Sequence, residues 1–118
     1  MKYILSFFAA IFTYFNAGAM TNLSQHEQFK KSEILIIDVR TLDEFKSGNI
    51  KGSILIPYNE IHQHISTITK SKDAPIAVYC RSGSRSGIAL RILQSMGYTN
   101  VINYGSFSSA KKILDNKV

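Results

Sequence analysis

Cys80 is the only cysteine in the chain, and the six residues after it, Arg81-Ser82-Gly83-Ser84-Arg85-Ser86, include nothing apolar. A lone sulfur followed by two guanidinium groups, three hydroxyls and a glycine is a pattern with nucleophilic chemistry in it. The thiolate is the reactive form of cysteine, and cationic or hydrogen-bond-donating surroundings favour it over the thiol. The alternative for Cys80 is a small buried hydrophobe, the usual fate of an isolated cysteine. The polar, cationic loop behind the sulfur tips the reading towards chemistry.

Two elements must hold this loop. Before it, Ile76-Ala77-Val78-Tyr79 is a run of β-branched and aromatic residues suited to a buried strand. After it, Ile88, Ala89, Ile92, Leu93 and Met96 recur at three- and four-residue spacing, which predicts a helix that Gly97 stops. The sulfur is therefore expected on a tight strand-to-helix turn. Amide N–H groups of such a turn and of the first helical residues have no intrahelical partner and point at its centre. With Arg81 and Arg85 beside them they form a cup that attracts anions.

The first half of the chain supplies the neighbours. Ile34 to Val39 (ILIIDV) is the nearly continuous apolar run of a central parallel strand, ending in Asp38 and Arg40 at the carboxyl edge where open α/β sheets place ligands. Thr41-Leu42-Asp43-Glu44 reads as a capping box opening a short helix to Ser47, stopped at Gly48. Asp38 is read as tying down loops at a strand end and Glu44 as a helix cap. Arg40 either pairs with one of these acids or faces the anion site. Ser53 to Ile56 is a short strand closed by Pro57, and Asn59 caps a helix carrying Ile61, Ile65 and Ile68. His62 and His64 on that helix point in different directions and lack partners at metal-ligand spacing, so they are read as solvated surface. His26 has no evident partner either. It falls within a Ser24–Glu27 capping box that predicts a helix through Lys31.

Beyond Gly97, Val101-Ile102 marks one more strand, Gly105-Ser106 a turn, and Phe107 to Leu114 a last helix. Strands alternating with helices argue for an α/β domain over residues 20–118, with a central parallel sheet, right-handed crossovers and helices on both faces. Cys80 then lies outside the carboxyl end of a central strand.

Cys80-Arg81-Ser82-Gly83-Ser84-Arg85 resembles the active-site loop of rhodanese-type sulfurtransferases, a cysteine followed by four residues and an arginine. A second stretch is similar to that family's upstream signature: Ile37-Asp38-Val39-Arg40, then Glu44-Phe45, Gly48-Asn49-Ile50, Gly52-Ser53 and Ile56-Pro57. The chain departs from the family at Asn49, where His is usual, at Gly105-Ser106-Phe107 in place of Gly-Gly-Phe, and in lacking any Trp. The resemblance implies a rhodanese-like fold and a sulfurtransferase in which Cys80 takes a sulfur from thiosulfate as a persulfide and passes it to cyanide or a cellular thiol. It implies substrate binding by Arg81, Ser82, Gly83, Ser84, Arg85 and Ser86, with Arg40 as a further candidate, and calls for no metal or organic cofactor. Cysteine phosphatases and arsenate reductases also use a Cys–Arg loop, but with five intervening residues, and residue 86 here is Ser. The shorter loop makes a narrower cup, suited to one sulfur rather than a tetrahedral oxyanion. A persulfide carrier without turnover is the other competing function.

Composition bounds the rest. The 118 residues suffice for one domain, and the +6 charge is scattered rather than gathered into a stripe, which argues against nucleic-acid binding and for solubility or attraction of small anions. Residues 1–19 read as a signal peptide: Met1-Lys2 is basic, Tyr3 to Phe15 apolar, and Ala17-Gly18-Ala19 a cleavage site. The apolar run is shorter than a bilayer span needs, so a retained anchor is the weaker alternative. Export to the periplasm is the expectation. A single cysteine in an oxidising compartment forms no disulfide within its chain, which leaves it free, intermolecular or chemically employed.

Overall fold

Burial on two sides decides where the strands go. The computed structural model describes residues 26–117, so the leader at 1–19 and the start of the Ser24–Glu27 capping box lie outside the described residues. Four strands, β1 (Leu35–Asp38), β2 (Ile54–Leu55), β3 (Ile76–Cys80) and β4 (Val101–Ser106), form one sheet in the order β2-β1-β3-β4, and every neighbouring pair is parallel. All five residues of β3 are buried, as a strand covered on both faces requires.

Side chains alternate between the faces of a strand, and that alternation divides the core in two. Ile37, Val39, Ile76, Val78 and Cys80 face α2 (Ile61–Ile68) and α3 (Ser84–Ser95). Ile36, Ala77, Tyr79, Ile102 and Tyr104 face α4 (Phe107–Asp115). The short α1 (Leu42–Ser47) follows β1. Its capping box forms as expected: Thr41 Oγ1 accepts from the Glu44 amide at 3.2 Å, and Glu44 Oε1 accepts from the Thr41 amide at 3.0 Å.

Several local expectations are corrected. The chain turns at His26–Phe29 and forms a 3₁₀ turn at Lys31–Glu33, so no helix runs through to Lys31. Asn59 lies inside a second 3₁₀ turn, Tyr58–Glu60, and the residue preceding α2 is Glu60. Gly105 and Ser106 belong to β4 rather than to a turn. Opposite β3, Val78 pairs with Asn103 and Tyr79 with Gly105, which leaves Tyr104 as the extra residue of a β-bulge. That bulge lets Ser106 end the strand and cap α4 at once, its hydroxyl accepting from the Ser109 amide at 3.1 Å.

His26 does have partners. Its ring is fully buried, with Nδ1 3.1 Å from the Tyr104 hydroxyl and Nε2 3.2 Å from the Asn100 carbonyl. A carbonyl only accepts, so Nε2 carries the proton and Nδ1 accepts from Tyr104.

Candidate active site

The loop after β3 is short because α3 starts early. Ser84, Arg85 and Ser86 are the first three helical residues, so half of the polar loop is the helix N-terminus itself. Gly83 makes the corner in a left-handed conformation, φ 102°, which a side chain would disfavour. The corner turns the Gly83 amide back onto Cys80, where it donates to Sγ at 2.9 Å. The Ser86 hydroxyl reaches the same sulfur at 3.5 Å.

Cys80 is fully buried, which pushes its thiol up; the Ser86 hydroxyl and the amides of Ser86, Gly83 and Ser82 outweigh this and hold it below the ordinary value. Burial alone would suit a small hydrophobe. The convergence of donors on one sulfur does not, because a neutral thiol needs none of them. Arg81, Ser82 and Ser84 form an exposed rim above it.

The sequence-derived site residues do not all gather at the sulfur. Gly83 and Ser86 touch it, and Ser82 contributes its amide. The Ser82 and Ser84 hydroxyls meet each other at 3.4 Å on the rim. Arg85 is committed elsewhere: its Nη1 and Nη2 donate to the two carboxylate oxygens of Glu44 at 2.8 and 2.9 Å. Glu44 thus does more than cap a helix, and Arg85 holds its carboxyl down to about 2.

Arg40 is on the other side of the sheet. Asp38 and Tyr79 share the face opposite Cys80, and Arg40 joins them there. Its guanidinium donates to both Asp38 oxygens, Nη2 to Oδ2 at 2.7 Å, and to the Gly48 carbonyl at 2.6 Å. It lies over the Phe107 ring at 4.8 Å. The Tyr79 hydroxyl completes the network by donating to Asp38 Oδ2 at 2.7 Å. Asp38 ties down the strand end as expected, and Arg40 pairs with it rather than facing the anion site. Among the candidates, Arg81 is the arginine left exposed on the rim.

Asn103 on β4 escaped the sequence reading. Its side chain meets both Ser86 and Gly83, at 2.7 and 3.2 Å. The available signal was a polar residue set between Val101-Ile102 and Tyr104. The described residues hold no group of three or more metal-ligating side chains. A groove of about 520 Å³, lined in part by Lys30, Lys31, Lys51 and Lys117, contains none of the Cys80 loop.

Residues 21–112 match the rhodanese-like domain family. The chain is 41% identical over 69 residues to the thiosulfate sulfurtransferase PspE of Escherichia coli K12, covering 58% of this chain and 66% of that protein. It is 37% identical over 71 residues to a sulfurtransferase of Allochromatium vinosum, covering 60% of this chain and 64% of that one. The chain thus spans just under two thirds of the length of both relatives. A solved rhodanese with anions from E. coli superposes with a TM-score of 0.63 at 37% identity, covering 64% of this chain and 89% of that structure.

Proposed function

The chain belongs to the rhodanese-like domain family, and on that premise we propose that it is a thiosulfate sulfurtransferase working through a Cys80 persulfide. The observation that carries this reading is the Gly83 amide 2.9 Å from Cys80 Sγ with the Ser86 hydroxyl as a second donor. Donors fixed before the reaction favour the charged sulfur without any rearrangement, which is how preorganised dipoles lower a barrier.

In the first half-reaction the Cys80 thiolate attacks the outer sulfur of thiosulfate. A new S–S bond forms, the bond to the sulfonate sulfur breaks, and sulfite leaves with the electron pair. In the second, cyanide or a thiolate attacks the terminal sulfur and the Cys80 thiolate departs. No general base is called for, since the donors around the sulfur favour the thiolate, which is itself the nucleophile. Because Cys80 is fully buried at rest, its loop must open for the donor to reach it. Arg81 attracts that donor, and Arg85 holds the helix start to α1 through Glu44.

Steady thiocyanate production from thiosulfate and cyanide tests the reading. Persulfide formation without turnover identifies a carrier instead, and phosphate release from an aryl phosphate a phosphatase. The leader supports a periplasmic site of action, which N-terminal sequencing of the exported protein checks.

A further inference from the structure

The side chain of Asn103 is oriented without ambiguity. The Gly105 amide can only donate, and it meets Oδ1 at 2.8 Å; the Gly83 carbonyl can only accept, and it meets Nδ2 at 3.2 Å. The Ser86 hydroxyl, 2.7 Å from Oδ1, must therefore be the donor in that contact. It has one proton and three acceptors within reach: Asn103 Oδ1 at 2.7 Å, the Gly83 carbonyl at 3.0 Å and Cys80 Sγ at 3.5 Å.

Resting on the sulfur-transfer reading of Cys80, we propose that Asn103 is a positioning residue that makes the Ser86 hydroxyl a two-position donor. With a neutral thiol, the shortest contact wins and the proton lies on Asn103 Oδ1. With charge on the sulfur, the hydroxyl rotates and donates to it, because a hydrogen bond to an ionised acceptor is about twice as strong as a neutral one. Asn103 Oδ1 keeps the Gly105 amide throughout, so it is never left unsatisfied. Meanwhile Nδ2 holds the carbonyl of Gly83, the residue whose amide faces the sulfur. No atom heavier than hydrogen moves when the charge comes and goes between the two half-reactions. The charged and titratable groups around the loop, Arg81, the Arg85–Glu44 pair and Tyr58, play no part in this exchange.

The test is the Cys80 titration, read as the pH dependence of alkylation by iodoacetamide in the full chain. It needs no sulfur transfer, so it fails separately from the function proposed above. Asn103→Asp places a carboxylate that retains the Ser86 proton and repels the Gly83 carbonyl. It is expected to raise the alkylation midpoint by about one pH unit or more. In a Ser86→Ala background the same substitution is expected to raise it by less than half as much, leaving only through-space repulsion. An unmoved midpoint, or an equal rise with and without Ser86, overturns the proposal. Should Asn103→Asp not fold, Asn103→Ala reads the same coupling: its shift must fall to less than half without the Ser86 hydroxyl, the remainder coming from the lost hold on the Gly83 carbonyl. A shift of half or more there, or none with Ser86 present, overturns the proposal too.

Discussion

Arg85 and Glu44 lie 41 residues apart and meet as a two-pronged ion pair, with N···O distances of 2.8 and 2.9 Å. The pair joins the first turn of α3, which carries the sulfur cup, to the first turn of α1. One of the loop's two positive charges is thereby used to hold the loop in place.

Glu44→Gln should lower stability by about 1 kcal/mol, since the pair is partly exposed and the amide keeps one contact. The sign with pH follows from the carboxyl being depressed from its ordinary 4.5 to about 2. Its contribution is complete above pH 4.5 and is lost as the pH falls from there through about 2. Urea unfolding of both proteins at a series of pH values should show their difference closing over that window.

Arg81 and Arg40 should separate cleanly. Arg81→Ala removes an exposed charge at the rim and should raise KM for thiosulfate about three- to tenfold, with the difference shrinking in high salt and melting unchanged. Arg40→Ala leaves the Asp38 carboxylate buried without its partner and should cost about 3–5 kcal/mol. Steady-state kinetics alongside thermal melts distinguish a binding defect from a folding one.

Gly83→Ala is a test of the corner. A Cβ would come no closer than 3.5 Å to Gly105, so space is not the obstacle. The φ of 102° is, and it should cost about 1–2 kcal/mol. Relaxation of that strain turns the amide away from Cys80, so alkylation at neutral pH should slow.

His26 makes the domain acid-sensitive far from the sulfur. Burial is the main cause of its lowered pKa, outweighing the Asn100 contacts. The unfolded chain protonates near the ordinary 6.5 while the folded ring resists, so stability is complete above that pH and falls as the pH drops below it. Melting temperatures between pH 7.5 and 5 should decline more steeply for the native chain than for His26→Gln.

Much of this arrangement was legible in the residues. The β3 run, the polar loop and the periodicity from Ile88 placed Cys80 on its turn, and the Thr41–Glu44 box appeared where its spacing put it. What stayed hidden was long-range. Nothing near Glu44 announces Arg85, and nothing near Asn103 announces the pairing with Val78 that puts it on the face of Cys80 and within reach of Ser86. Arg40 is instructive in the other direction. Strand alternation with the β1–β3 register puts Asp38 across from Tyr79, on the face away from Cys80, but register is a property of pairing and is absent from one strand's sequence. His26 misled because its partners, Asn100 and Tyr104, come from the far end of the chain.

Sulfur transfer at this site requires Cys80 to hold an additional sulfur as an anion. Intact-mass measurement of the protein after thiosulfate and then cyanide tests it most directly. The native chain should gain the mass of one sulfur atom and lose it again, while Cys80→Ser, still folded, gains nothing. A native chain whose mass stays unchanged under thiosulfate, or a Cys80→Ser variant that takes up sulfur, contradicts the account.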